Sequence, residues 1–180
     1  MKIQDISIEH RGHELLLRNA REEDAQMLIN YLKVTCSETR YLLKESDEIT
    51  FSVEQEQNFI KMMNNAKNSI MLLAFLDGEF VGNCSLNGHS PKRCRHKADL
   101  GIALYQKYTG MGIGKKMVLA LLEIAKDMGL EQIELEVVTE NTRAVELYKS
   151  LGFEIYGTHP HDMKYSDGTY ADVYWMMRRV

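Results

Sequence analysis

Residues 104–116, Leu-Tyr-Gln-Lys-Tyr-Thr-Gly-Met-Gly-Ile-Gly-Lys-Lys, set three alternate glycines between an apolar, strand-like run and a strongly helical one. Ala98–Leu104 reads as the strand and Lys115–Met128 as the helix. Between them Gly110, Gly112 and Gly114 let bare main-chain N–H groups approach an anion at the helix N-terminus. Two familiar phosphate loops fail on spacing. An ATP-type loop needs a glycine five residues before Gly114, where Thr109 stands, and Ser or Thr after Lys115, where Lys116 stands. A dinucleotide fingerprint needs its third glycine one residue later than Gly114, where Lys115 stands.

Composition bounds the rest. A chain of 180 residues with 44% hydrophobic content is long enough to bury roughly 70% of its unfolded surface. No Pro- or Ser-rich linker divides it, so one domain over residues 13–180 is expected, with residues 1–12 as an N-terminal extension. No apolar run approaches the ~18 to 20 residues of a membrane span. The start, Met-Lys-Ile-Gln-Asp-Ile-Ser, lacks the apolar stretch of a signal peptide, and a cytoplasmic protein without a membrane partner is expected. Cys36, Cys84 and Cys94 cannot all pair and lack metal-knuckle spacing. A net charge of −4 argues against nucleic acid as a partner and permits a cationic small molecule.

Strands and helices alternate along the chain. His13–Arg18 reads as a strand, followed by a helix that opens on Glu22, Glu23 and Asp24 and runs to about Glu38. Ser52-Val-Glu-Gln55 fits a capping box opening a second helix. Ile70–Leu76 and Glu79–Leu86 read as a hairpin about Asp77-Gly78, and residues 87–97 as a basic, exposed loop. After the glycine turn, Ile133, Leu135 and Val137 alternate with Glu134 and Glu136 as a half-buried strand. A helix from about Asn141 to Leu151 ends at Gly152, and strands near Phe153–Thr158 and Ala171–Met177 close the chain. His159 and His161 flank Pro160 but lack a third matched ligand, and His10 and His13 are weaker still, so no metal is expected.

The loop Leu104-x-x-x-x-Thr109-x-x-Gly112-x-Gly114 resembles the pyrophosphate loop V/I-x-x-x-x-Q/R-x-x-G-x-G/A of the GNAT superfamily of acyl-CoA-dependent N-acyltransferases. Asn141-x-x-Ala144-x-x-Leu147-Tyr148-x-x-x-Gly152-Phe153 is similar to that family's second segment, and the two occur in the family's order. Thr109 departs from the pattern, shortening a side chain that meets phosphate and removing its charge; Lys107, Lys115 and Lys116 are candidates to compensate.

The resemblance implies an α/β (α+β) fold: a mixed, mostly antiparallel sheet of about six to seven strands, flanked by about four helices. The sheet is splayed between the strand before the glycine turn and the strand after its helix. It implies acetyl-CoA as cosubstrate and a primary-amine acceptor, a small molecule or a peptide N-terminus as in bacterial small-amine and ribosomal-protein N-terminal acetyltransferases. A homodimer is compatible with it. Ile102, Ala103 and Leu104 are expected to meet the pantetheine arm, and Thr109, Gly110, Met111, Gly112, Ile113, Gly114 and Lys115 to cradle the pyrophosphate, with Asn141 also on the cofactor. Tyr148, protonated at neutral pH, is the expected acid for the departing thiolate, and Asp99 the expected base, with Glu134 and Glu136 as neighbours able to serve. The loss at Thr109 leaves room for a catalytically silent acyl-CoA-binding or sensory domain.

Overall fold

Ile70, Leu72 and Ala74 point to one side of a strand and Met71 and Leu73 to the other, and all five are buried. A strand of this kind belongs to a sheet covered on both faces. In the computed structural model, which describes residues 1–180, that strand is central to one sheet of eight. The strands are β1 (Ile6–His10), β2 (His13–Asn19), β3 (Ser69–Leu76), β4 (Glu79–Gly88), β5 (Lys97–Leu104), β6 (Gln132–Val138), β7 (Glu154–Lys164) and β8 (Tyr170–Arg179). Their order is β1-β2-β3-β4-β5-β6-β8-β7, with every neighbouring pair antiparallel except β5 and β6.

Four helices cover the sheet: α1 (Ala25–Glu38), α2 (Val53–Asn65), α3 (Ile113–Asp127) and α4 (Thr142–Ser150). Met117, Val118 and Leu121 of α3 and Val145 and Tyr148 of α4 join Leu72, Leu100, Ile133 and Leu135 in the larger core on one face. Leu28 and Tyr31 of α1 and Ile60 and Met63 of α2 pack on Met71, Leu73 and Phe80 on the other. Ser52 caps α2 as its sequence implies, Oγ accepting from Gln55 N–H at 3.1 Å while Gln55 Oε1 accepts from Ser52 N–H at 2.8 Å. Asp77 and Gly78, at φ 49° and 83°, form the expected tight hairpin turn.

The sheet has one strand more than the expected six to seven, and the addition is β1. Residues 1–12 are not a free extension: Ile6 and Ile8 pack against the α3-side core, and His10 pairs with His13 across the two-residue turn Arg11-Gly12. The alternation Ile6-Ser7-Ile8-Glu9 carried that signal. The closing strands are also longer than expected, so His159 and His161 lie within β7 rather than in a loop.

The start of α1 is fastened by a nearly dry ion pair. Arg18 of β2 donates from Nη1 and Nη2 to Asp24 at 2.7 and 2.9 Å, and Asp24 also accepts from Arg21 N–H at 2.7 Å. Side-chain exposure is 11% for Arg18 and 9% for Asp24. Burial opposes ionisation of Asp24, but these hydrogen bonds outweigh it and hold the carboxyl below its usual range. A carboxylate so depressed stabilises the fold above its unfolded pKa of about 3.9, and that contribution is lost as pH falls through the folded value. Asp24→Ala, stranding the Arg18 charge, is expected to cost about 3 to 5 kcal/mol in urea unfolding at pH 7. The difference from the parent should shrink on acidification below about pH 4.

Candidate active site

β5 and β6 are joined by only three residue pairs, Lys97↔Gln132, Ala98↔Ile133 and Asp99↔Glu134. Beyond them the strands part, while β5 stays paired to β4 as far as Leu104 and β6 to β8 as far as Val138. Main-chain groups of successive strand residues point to opposite edges. Tyr105 N–H donates to Val81 C=O, and Gln132 N–H donates to His96 C=O. The odd-numbered residues of β5 therefore turn toward β4, and Leu100, Ile102 and Leu104 turn toward the gap. Ala103 departs from its expected place: its carbonyl faces Gly82 and accepts from the Tyr31 hydroxyl at 2.7 Å.

At the end of β5 the chain makes a 3-10 turn, Gln106–Tyr108, and enters the glycine loop. Gly110 and Gly112 take φ of 77° and 88°, and Gly112 is the N-cap of α3 with no side chain to cap it. No main-chain N–H from Gly110 to Lys115 donates to another group of the chain. These unpaired donors, with the positive end of α3 behind them, suit a diphosphate. A Cβ on Gly114 would lie 3.4 Å from Leu104 and 3.7 Å from both Ile102 and Leu147, so the first turn of α3 packs closely on β5 and α4.

Two residues absent from the sequence-based site meet this loop. The buried His10 ring donates from Nε2 to Met111 C=O at 3.0 Å, and Arg143 donates from Nη1 to Thr109 Oγ1 at 2.6 Å. Neither carries a local signal, since each contact joins distant parts of the chain. Lys107, a candidate replacement for the charge missing at Thr109, is paired with Glu79 at 2.7 Å. Asn141 spends its side chain on capping α4, Oδ1 accepting from Ala144 N–H at 3.4 Å.

Tyr148 lies on the α3–α4 face, edge-on to Phe153 at 5.8 Å and 7% exposed. Burial raises its pKa to about 12. Asp99 lies on the other face, where Glu134 and Glu136 also point, because Ile133, Leu135 and Val137 fill the α3-side core. The sequence-based acid and base are thus on opposite faces of the gap. His89 Nε2, Asp99 and Glu134 gather within 4.8 Å. Glu134 is engaged, accepting from Lys97 at 2.9 Å, while Asp99 is half-exposed with His89 Nε2 3.2 Å away and not hydrogen-bonded to it. Glu136 has no ion-pair partner and stands two residues past the last β5–β6 pair, directly opposite the part-exposed Trp175 on β8. Tyr156 stacks on that indole at 6.2 Å. The acidic residues around and between α1 and α2 are partly committed to local contacts. Glu38 accepts from Gln106 N–H, Glu45 and Glu48 cap a short turn, and Glu56 is buried.

The acetyltransferase (GNAT) family model matches residues 30–153. An L-amino acid N-acetyltransferase, AaaT, of Escherichia coli is 33% identical over 110 residues, covering 59% of this chain and 66% of that protein. An N-alpha-acetyltransferase of Sulfurisphaera tokodaii is 28% identical over 175 residues, covering 92% of this chain and 93% of that protein. The crystal structure of a GNAT-family acetyltransferase from Streptococcus pneumoniae superposes with a TM-score of 0.88 at 32% identity, covering 93% of this chain and all of that one. By this family match and this structural likeness, the chain belongs to the acetyltransferase (GNAT) family of acetyl-CoA-dependent acyltransferases.

Proposed function

We propose that this chain transfers the acetyl group of acetyl-CoA to an α-amine, of an amino acid or a peptide N-terminus, by direct attack while both substrates are bound. The observation that carries the reading is the gap between β5 and β6. It is bordered on one face by the donor cradle and Tyr148, and on the other by unpaired Glu136 beside Trp175. Bound acetyl-CoA supplies an activated acetyl thioester. Main-chain groups of Ile102 and Leu104 hydrogen-bond the pantetheine arm, and the N–H groups of Gly110–Lys115 hold the pyrophosphate.

Tyr148 donates to the sulfur as the C–S bond breaks. With a pKa of about 12 it is protonated throughout the physiological range. Complete transfer to a free thiolate of pKa ~8.5 would be uphill by about 5 kcal/mol, so its help is given as the bond breaks rather than before. On the other face the geometry favours Glu136 over Asp99 as base, because Asp99 faces His89 and Glu134 faces Lys97. An exposed carboxylate also attracts an ammonium group before it loses its proton. Deprotonating an α-amine near pKa ~8 at pH 7 costs about 1 kcal/mol, against 4 to 5 for a lysine-like amine, so one exposed carboxylate suffices for the former. Two of the relatives are named for α-amine or amino-acid acceptors, which supports the same class.

The test is thiol release from acetyl-CoA with amino acids, peptides, polyamines and aminoglycosides. Release is expected with free α-amines; CoA binding without release by any amine would point to a silent binding domain. Tyr148→Phe is expected to slow turnover about 10²-fold with acetyl-CoA affinity retained, and unchanged turnover would remove its role. Glu136→Gln should lower kcat/KM and shift its pH profile while Asp99→Asn does neither; the reverse pattern would return the base to Asp99. Gly112→Asp, with a side chain at φ 88° and a carboxylate beside the diphosphate, should abolish CoA binding far more severely than Thr109→Ala. Equal affinities would mean the cradle lies elsewhere.

A further inference from the structure

The glycine loop offers many neutral donors to a diphosphate, but position 109 supplies no cation. Two guanidinium groups from distant parts of the chain come to this loop. Arg143, in the first turn of α4, donates to Thr109 Oγ1 at 2.6 Å. The threonine hydroxyl thereby holds a guanidinium where a longer side chain at 109 would have carried its own polar group. Arg11 approaches from the N-terminal hairpin, its Nη2 lying 3.9 Å from the point a Cβ would take on Gly112. Its neighbour His10, buried and donating to Met111 C=O, fastens the hairpin tip to the loop.

The backbone at Arg11 adds an independent argument. Arg11 and Gly12 take φ of 55° and 85°, a turn whose first position favours Asn, Asp or Gly because other side chains are strained there. The Asp77-Gly78 turn of the same chain uses an ordinary residue at that position. An arginine in the strained position, with its guanidinium over the cofactor loop, is explained by what the side chain reaches. Neither Arg11 nor Arg143 has a carboxylate within ion-pair distance, whereas Lys107 is committed to Glu79.

We propose that Arg11 and Arg143 form a two-sided clamp on the pyrophosphate of the acyl-CoA cosubstrate, replacing the side chain that Thr109 lacks. The proposal rests on the loop being the cofactor cradle. Each guanidinium presents a planar fork of donors that matches phosphate oxygens, and each adds a full charge that main-chain amides do not. Tying the N-terminal hairpin and α4 to one ligand also makes cofactor binding sensitive to both ends of the fold.

The test is calorimetric titration of the full chain with CoA and with dephospho-CoA, which keeps the pyrophosphate but lacks the ribose 3′-phosphate. Arg143→Ala and Arg11→Asn are each expected to weaken CoA binding about tenfold, and together about a hundredfold. The salt dependence should flatten and the same losses should appear with dephospho-CoA. Without ligand, Arg11→Asn should melt at a higher temperature than the parent, because Asn-Gly suits the turn; a merely structural arginine would move stability the other way. A double variant that binds CoA as the parent does would overturn the clamp, and losses that vanish with dephospho-CoA would overturn its assignment to the pyrophosphate. A parent chain that binds no CoA at all would instead sink the cofactor reading on which the clamp stands.

Discussion

Three residue pairs between β5 and β6 are all that join the two halves of this sheet, and the site exists because the pairing stops there. Both strands keep full ladders on their outer edges, so the gap is held open by well-bonded structure rather than by disorder. The inner edges carry main-chain groups that need partners. On the proposed function, an extended pantetheine arm would supply them in the way an added strand does.

The open end of β5 is packed from both sides. The first turn of α3 enters beside β5, with Gly114 against Ile102 and Leu104 and against Leu147 of α4. Tyr31 ties the opposite edge of β5 to α1 through Ala103 C=O, and its burial among Phe80 and Tyr105 fixes the hydroxyl. The same packing sets the chemistry. It buries Tyr148 on the α3–α4 face, keeping the phenol protonated, and leaves Glu136 and Trp175 on the face that α1 and α2 do not cover at β6 and β8. Across that face the Arg40 guanidinium lies 3.7 Å from the Tyr165 ring and donates to Thr169, joining the loop after α1 to the β7–β8 turn.

Much of this was legible in the sequence because it is written locally. The glycine spacing, the capping box at Ser52, the Asp77-Gly78 turn and the apolar alternation of Ile133–Val137 depend on neighbours a few residues away. β1 was harder, since its alternation spans only five residues and an Arg-Gly turn is a weak signal. The site's remaining members are long-range. That Ala103 turns away from the gap depends on strand register. That Asp99 lies beside His89 and that Glu134 is held by Lys97 are long-range outcomes, and the arginines meeting the glycine loop come from residues 11 and 143. Nothing in the residue types at those positions encodes such meetings; the tertiary fold creates them.

The most direct measurement is amide hydrogen exchange along β5, resolved residue by residue, with and without CoA. If the pantetheine arm pairs with the free edge, the amides of Ile102 and Leu104 become protected on CoA binding, while those of Gly101 and Ala103, already turned to β4, change little. Uniform protection along the strand, or none, would contradict the claim that the gap between β5 and β6 receives the cofactor as an added strand.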